Sequence, residues 1–132
     1  MSWVTRTAHE DGGSAVVEFA LVLPLLLVVT LALVEVGLVV RDRLLVESSA
    51  RAGARAAALS PDPGLIRGAV ERAAPTLDGG ALGVSVAREG GRGDPVTVTV
   101  TYGSAVRVPF IAWLMRGTIR MAASATDRQE FT

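Results

Sequence analysis

The chain has 132 residues, of which half are hydrophobic and 5% are aromatic, and its formal net charge at pH 7 is zero. This length leaves room for one domain at most beside a membrane segment, and a neutral chain offers no strongly basic surface for nucleic acid. The absence of cysteine excludes disulfides, thiolate nucleophiles, zinc–thiolate sites and lipidation at cysteine.

The first predicted element is an apolar helix over residues 15–40. Between Phe19 and Val34 the only polar residue is Thr30, and Pro24 is tolerated because membrane helices re-satisfy the backbone groups that a proline frees. Since about 20 apolar residues span the hydrocarbon core of a bilayer, this run is long enough to cross a membrane.

Two alternatives for the apolar run are weaker. A helix buried in a soluble core needs protein on all sides, which a chain this short cannot provide. A secretory signal peptide has roughly 7–15 apolar residues before a small-x-small cleavage site, whereas this run is longer and Leu31-Ala32-Leu33 is a poor site. A retained membrane anchor is the better interpretation.

The next segment, residues 41–59, continues as a helix with two different faces. One face is a stripe of small residues at helical spacing, formed by Val46, Ala50, Gly53 and Ala57. Since small residues let another element approach the backbone closely, this stripe either packs on the sheet of its own domain or contacts a neighbouring subunit. The other face carries a charge at every fourth residue, Arg43, Glu47, Arg51 and Arg55. There, Glu47 is expected to pair with arginines on both sides.

A second, shorter helix follows a stop signal, Ser-Pro-Asp-Pro-Gly at residues 60–64. Asp62 is the predicted N-cap and Pro63 the first-turn residue. The apolar side of this helix is formed by Ile66, Ala69, Val70 and Ala73, and Pro75 ends it.

After the second helix the hydrophobic period changes to two, which is typical of strands. The alternation covers residues 82–87, 96–102 and 118–126. Gly103 is expected to bend or bulge its strand before Val106 and Val108 resume the pattern. We predict the α+β class: a long membrane-spanning helix continues into a small domain of a short helix and a three- to four-stranded antiparallel sheet.

Residues 109–115, Pro-Phe-Ile-Ala-Trp-Leu-Met, form the densest apolar cluster outside the membrane segment and lie between two predicted strands. Phe110 and Trp113 are its aromatic members. The cluster either plugs the open end of the sheet or forms a contact surface for a partner subunit or for the membrane interface, where tryptophan is favoured.

The sequence offers few groups for chemistry. Its one histidine, His9, precedes the membrane segment, and no hydrolase, metalloprotease, P-loop or dinucleotide motif is present. The carboxylate pairs Glu10–Asp11 and Glu89–Asp94 lie in predicted loops, where solvated charges are the simpler interpretation. We therefore expect a structural or interaction protein without catalytic residues, metal, cofactor or small-molecule substrate.

Residues 12–37, GGSAVVEFALVLPLLLVVTLALVEVG, resemble the N-terminus of TadE-like proteins, the minor pseudopilins of the tight-adherence (Flp) pilus machinery of bacteria and archaea. The resemblance is carried by the glycine, Glu-Phe-Ala, a proline among leucines and a later Glu-x-Gly. Residues 47–59 resemble the family's following helix and residues 121–130 its last strand, whereas residues 60–116 match only in general layout.

The resemblance implies a leader peptide over residues 1–13, which a prepilin peptidase removes by cutting between Gly13 and Ser14. A glycine before the cut lets the peptidase approach an extended backbone closely. Glu18 and Phe19 then become the fifth and sixth mature residues, as in type IV pilin-like precursors. The implied partners are the peptidase, the membrane, other pilin-type subunits and the pilus assembly platform, and cell adhesion is the implied process.

The same resemblance implies a transmembrane helix over residues 14–40 and an extracytoplasmic domain over residues 41–132. The arginine count disagrees, since Arg6 alone precedes the span while Arg41, Arg43, Arg51 and Arg55 follow it, which places the domain in the cytoplasm. We follow the resemblance, because its motif is more specific than the count. The alternative function is a single-pass, membrane-tethered binding module without a pilus role, which would need no cleavage after Gly13.

Overall fold

A computed structural model of the chain describes residues 10–114 and 117–131. Its elements are α1 (Glu10–Leu59), α2 (Pro63–Ala73), a short 3-10 turn (Gly79–Ala81), β1 (Leu82–Arg88), β2 (Pro95–Ala105), α3 (Pro109–Leu114) and β3 (Thr118–Arg128). The predicted α+β class is confirmed, with three strands in the sheet.

Helix α1 contains both predicted helical segments, the apolar run and residues 41–59, without a break. It has 50 residues and runs through Pro24, so it is about 75 Å long at a rise of about 1.5 Å per residue. Because α1 begins at Glu10, Glu10 and Asp11 lie in the helix and not in the predicted loop.

Helix α2 begins and ends where its sequence signals predict. The side chain of Asp62 caps it by accepting the backbone N–H of Gly64 at 2.8 Å, and Pro63 occupies the first turn. Ile66 and Val70 are buried, so the predicted apolar side of α2 faces the core.

The sheet has the strand order β1-β2-β3, with both pairs antiparallel. The β2–β3 register is continuous across Gly103, which lies opposite Arg120. The predicted bulge is therefore wrong, as is the resumed strand, because residues 106–108 connect β2 to α3. A Cβ atom at Gly103 would lie 3.0 Å from the Thr118 methyl group, so close cross-strand approach explains this glycine better than a bend does.

The core lies between one face of the sheet and the helices α1 and α2. The valines of β2, Val96, Val98 and Val100, are fully buried in it. The alternate residues of β2 face away, where Thr97 hydrogen-bonds Thr126 and Thr99 hydrogen-bonds Ser124, each at 2.8 Å. The strict valine–threonine alternation thus separates a packed face from a hydroxyl-rich one.

Candidate functional site

The N-terminal half of α1 exposes its apolar side chains. Val16, Phe19 and Leu33 are each more than 60% exposed, and none of the most apolar 18-residue window of the helix is buried. Its polar residue Thr30 is satisfied within the helix, since its hydroxyl donates to the Leu26 carbonyl at 2.8 Å. By length and composition α1 is the one helix in the described part of the chain that can cross a membrane.

The predicted processing and assembly residues lie at the start of this exposed half. The Ser14 hydroxyl lies 3.5 Å from Oε1 of Glu18, one helical turn further on, so the two residues share a face of α1. Phe19 is exposed beside them. The backbone at Gly13 is helical. Residues 1–9 of the predicted leader, including His9, lie outside the described residues.

Glycines of α1 differ in what surrounds them. A Cβ atom added to Gly13 or Gly37 would meet no atom within 4 Å. At Gly53 it would lie 2.7 Å from Cγ2 of Val70 and 3.0 Å from Cγ1 of Val98. Packing within the chain therefore requires glycine at Gly53, but it does not explain Gly13 or Gly37.

The small-residue stripe of α1 lies in the core. All four of its members are buried within their own domain: Val46, Ala50, Gly53 and Ala57. This is the first of the two interpretations, packing within the domain. On the charged face, Glu47 pairs with Arg43 at 3.4 Å. Of its two predicted partners, Arg43 and Arg51, Arg43 is the one that Glu47 binds within the described residues.

Two buried carboxylates of α1 bind the connection between β2 and α3. Oδ2 of Asp42 accepts the Ser104 hydroxyl at 2.9 Å and Nη2 of Arg107 at 2.8 Å. Glu35 accepts the backbone N–H groups of Arg107 at 3.2 Å and Val108 at 3.0 Å. We call the contact formed by Glu35, Asp42, Ser104, Arg107 and the backbone N–H of Val108 the polar tether.

Sequence reasoning missed the polar tether. Its one visible signal is that Glu35 and Asp42 are seven residues apart, which places both carboxylates on one face of a helix. Their partners lie more than 60 residues away along the chain. The hydrogen bond to Asp42 is the main cause that raises the pKa of Arg107 above the ordinary arginine value.

A second polar contact fixes the C-terminal end of α1. The guanidinium of Arg88 donates to the carbonyls of Ala57 at 2.9 Å and Ser60 at 3.1 Å, and to Oε1 of Gln129 at 3.1 Å. These carbonyls lie at a helix end, where partners for them are scarce and a cation is favoured. The C-terminal part of α1 from Glu35 to Leu59, which we call its packed half, is thus bound to the sheet domain near both of its ends.

Helix α3 contains the predicted apolar cluster. Ile111 is buried, whereas Phe110 is 46% exposed, Trp113 67% and Leu114 68%. The rings of Phe110 and Trp113 are 6.0 Å apart. Ile111 alone fits the interpretation as a core plug, because the other three side chains form an exposed patch, which we call the α3 patch. The last member of the predicted cluster, Met115, lies outside the described residues.

Comparison with known families matches residues 13–55 to the model for TadE-like proteins. The matched segment starts at Gly13 and includes Glu18, Phe19, Glu35 and Asp42, so it covers the exposed half of α1 and most of the packed half. This confirms the resemblance over residues 13–55, whereas residues 121–130, which resemble the family's last strand, lie outside the match. No curated protein and no solved structure matches the chain.

Proposed function

Because this chain carries a TadE-like segment, we propose that it is a minor pseudopilin that takes part in the assembly or anchoring of a tight-adherence (Flp-type) pilus. The observation that carries the proposal is the exposed apolar half of α1, which begins with Gly13, Ser14, Glu18 and Phe19. A helix of this kind has two suitable environments, a bilayer and a bundle of similar helices. A pilin-type subunit exchanges one for the other.

Processing between Gly13 and Ser14 is the first step of this proposal. Gly13 has open space around it, so the need for a glycine comes from outside the chain, as expected for a residue that a peptidase must approach. Gly12 and Gly13 each disfavour helix by about 1 kcal/mol relative to alanine. The first turn of α1 is therefore easily unwound into the extended form that a peptidase takes.

Glu18 has its role after the cut. A carboxylate inside a bilayer costs roughly 2.5–3.5 kcal/mol at the centre and less near the edge. Cleavage leaves a positive α-amino group on Ser14, about 6 Å along the helix axis from Glu18 at about 1.5 Å per residue. The Ser14 hydroxyl already lies 3.5 Å from Oε1 of Glu18. Within a chain this amine offsets part of the cost, and between chains it pairs with Glu18 of a neighbour only in one axial register.

We place the sheet domain outside the cytoplasm and the chain in the cell membrane. The arginines that oppose this orientation belong to a folded domain, where Arg41 donates to Thr76 at 2.6 Å and Arg43 pairs with Glu47. Long loops and domains are translocated across membranes largely regardless of their charge. The arginine count therefore weighs little against the pilin-type orientation.

N-terminal sequencing of the chain purified from cells that contain the cognate prepilin peptidase tests the proposal. We expect the mature protein to begin at Ser14. Gly13→Leu should leave an uncut precursor, since a bulky side chain blocks the peptidase, whereas Gly12→Leu, one residue away from the bond, should still be cut. A mature N-terminus at Met1 or near Leu33 would contradict the proposal.

The second candidate is a membrane-tethered binding module. The observation in its favour is the hydroxyl-rich sheet face, where Thr99 is half-buried, Ser124 is exposed and their hydroxyls hydrogen-bond each other at 2.8 Å. An uncut chain that remains functional would favour this candidate, because a simple anchor needs no cleavage.

A further inference from the structure

We propose that α3 is a second membrane contact of this protein, in which the α3 patch (Phe110, Trp113 and Leu114) inserts at the boundary between lipid headgroups and acyl chains. The proposal requires that α1 spans the bilayer, but it does not depend on the pilus role. It places α3, which follows Glu35 by about 75 residues in the chain, at one surface of the bilayer.

The position of α3 along α1 supports a lipid contact. The predicted span over residues 14–40 is longer than the roughly 20 residues of helix that a bilayer core takes, so a core that starts at Ser14 ends near Leu33 and residues 34–40 lie in the interface. The next turn carries Glu35, which binds the backbone N–H of Val108 immediately before α3. Helix α3 therefore lies at the level where the hydrocarbon core ends.

The surface between α1 and α3 is also apolar at this level. A groove there is lined by Val36, Val39, Ile111 and Ile119, with Glu35 buried at its edge by its hydrogen bonds to the backbone. The exposed apolar surface of the spanning helix thus continues onto α3, and Glu35, the one charged residue among the described residues that line the groove, is buried and bound to the backbone N–H groups of Arg107 and Val108. Because this apolar surface begins on the part of α1 inside the bilayer, the same lipid can cover its continuation on α3 and keep it from water.

The residue types of the α3 patch fit the interface. Phe110, Trp113 and Leu114 are spaced i, i+3 and i+4, so they share one face of the short helix, and the buried Ile111 lies about 100° around the helix from Phe110. Tryptophan is favoured at membrane interfaces because its ring is apolar and its indole N–H remains in contact with water or headgroups. The segment Pro109–Leu114 contains no charged residue, so its insertion buries none.

The polar tether gives the contact a fixed depth. Its bonds join Arg107 and Val108, the two residues directly before α3, to α1 at Asp42 and Glu35. Since the carboxylates are buried and held by the fold, α3 cannot move along α1 without breaking them. The spanning helix and the α3 patch together would fix how the sheet domain is oriented on the membrane.

Depth-dependent fluorescence quenching of the full chain in phosphatidylcholine vesicles tests the proposal. The chain has two tryptophans, Trp3 and Trp113, so Trp3→Phe leaves Trp113 as the one reporter. Bromine is placed on the lipid acyl chains, either near the headgroup or near the bilayer centre. We expect Trp113 to be quenched several-fold more strongly by the shallow bromine than by the deep one, with blue-shifted emission.

The matched control moves the reporter to the other end of the packed half. In Trp3→Phe/Trp113→Phe/Leu59→Trp the tryptophan is on the exposed last residue of α1, about 36 Å along the helix axis from Glu35. Its emission should not respond to either bromine. The proposal is overturned if Trp113 is unquenched, if both reporters are quenched alike, or if Trp113 becomes shielded only when another pilin-type subunit is added.

Discussion

At the residue scale, glycines that look alike in the sequence have different causes. Gly53 lies where α1 meets Val70 of α2 and Val98 of β2, and a methyl group has no room there. Gly37 belongs to the Glu-x-Gly pattern of the TadE-like segment, yet a methyl group there would touch nothing. Gly53 is therefore required by packing within this chain. At Gly37 the missing side chain leaves space in which another helix could approach the backbone closely.

This difference predicts opposite effects of the same substitution. Gly53→Ala overpacks the contact between α1, α2 and β2, so we expect a loss of about 1–3 kcal/mol in the free energy of unfolding. Gly37→Ala removes a poor helix former from an open site and should leave stability unchanged or raise it by up to about 1 kcal/mol. Thermal unfolding in detergent micelles, followed by the circular dichroism of the sheet domain, measures both. Equal shifts would show that Gly53 is not confined as described.

The ion pair between Asp42 and Arg107 is asymmetric, because the Asp42 side chain is fully buried whereas that of Arg107 is 37% exposed. Arg107→Ala leaves a buried carboxylate with the Ser104 hydroxyl, and we expect a loss of about 3–5 kcal/mol. Asp42→Ala leaves an arginine that water can solvate, so its loss should be smaller, about 1–3 kcal/mol. Chemical unfolding of the two variants checks this order, and a larger loss for Asp42→Ala would contradict it.

The pH dependence of this pair follows from the direction of the pKa shift. Asp42 raises the pKa of Arg107 in the folded chain, so the stabilisation from this shift is fully present below the ordinary arginine pKa. It is lost only as the pH rises through the raised value. The Arg107 shift therefore contributes no change in stability near neutral pH.

At the element scale, sequence reasoning recovered what depends on local pattern. The valine–threonine alternation predicted β2, and Asp62 with Pro63 predicted the start of α2, because strand period and helix capping are local. The bulge at Gly103 was wrong, since the cross-strand approach of Thr118 that explains this glycine is not visible in one strand. The polar tether was missed for the same reason, because Glu35 and Val108 are 73 residues apart in sequence.

The attachment of α3 to α1 depends on Glu35. Glu35→Ala removes the acceptor for the N–H groups of Arg107 and Val108, which then become unpaired in a half-buried site, at a cost of about 1–3 kcal/mol. We expect faster hydrogen exchange at Val108 and in α3, while β1 remains protected. Glu47→Ala is the matched control, because its ion pair with Arg43 is exposed and contributes at most about 1 kcal/mol. Unchanged exchange in α3 would show that α3 is held by Ile111 alone.

At the scale of the whole molecule, α1 consists of an exposed half and a packed half that form one continuous helix. The packed half is held by the polar tether near Asp42 and by Arg88 near Leu59. No flexible linker within α1 separates the exposed half from the sheet domain. The axial position of the exposed half therefore determines the position of the sheet domain. This coupling makes the position of Glu18 relevant to the placement of the entire subunit.

Glu18→Gln tests whether that carboxylate sets the register of assembly. Glutamine keeps the size of the side chain and its contact with Ser14 but removes the charge to which the proposed function assigns pairing with the α-amino group of a neighbouring subunit. Membrane insertion should become slightly easier, since a neutral side chain is less costly in the bilayer, and cleavage after Gly13 should be largely retained. Crosslinking to other pilin-type subunits and pilus assembly should be lost, because wrong registers are no longer penalised. Glu47→Gln, the same chemical change at an exposed ion pair in the packed half of α1, is the control that should still be crosslinked. A Gln variant that is cut, inserted and assembled as well as the parent would mean that the charge of Glu18 has no part in assembly.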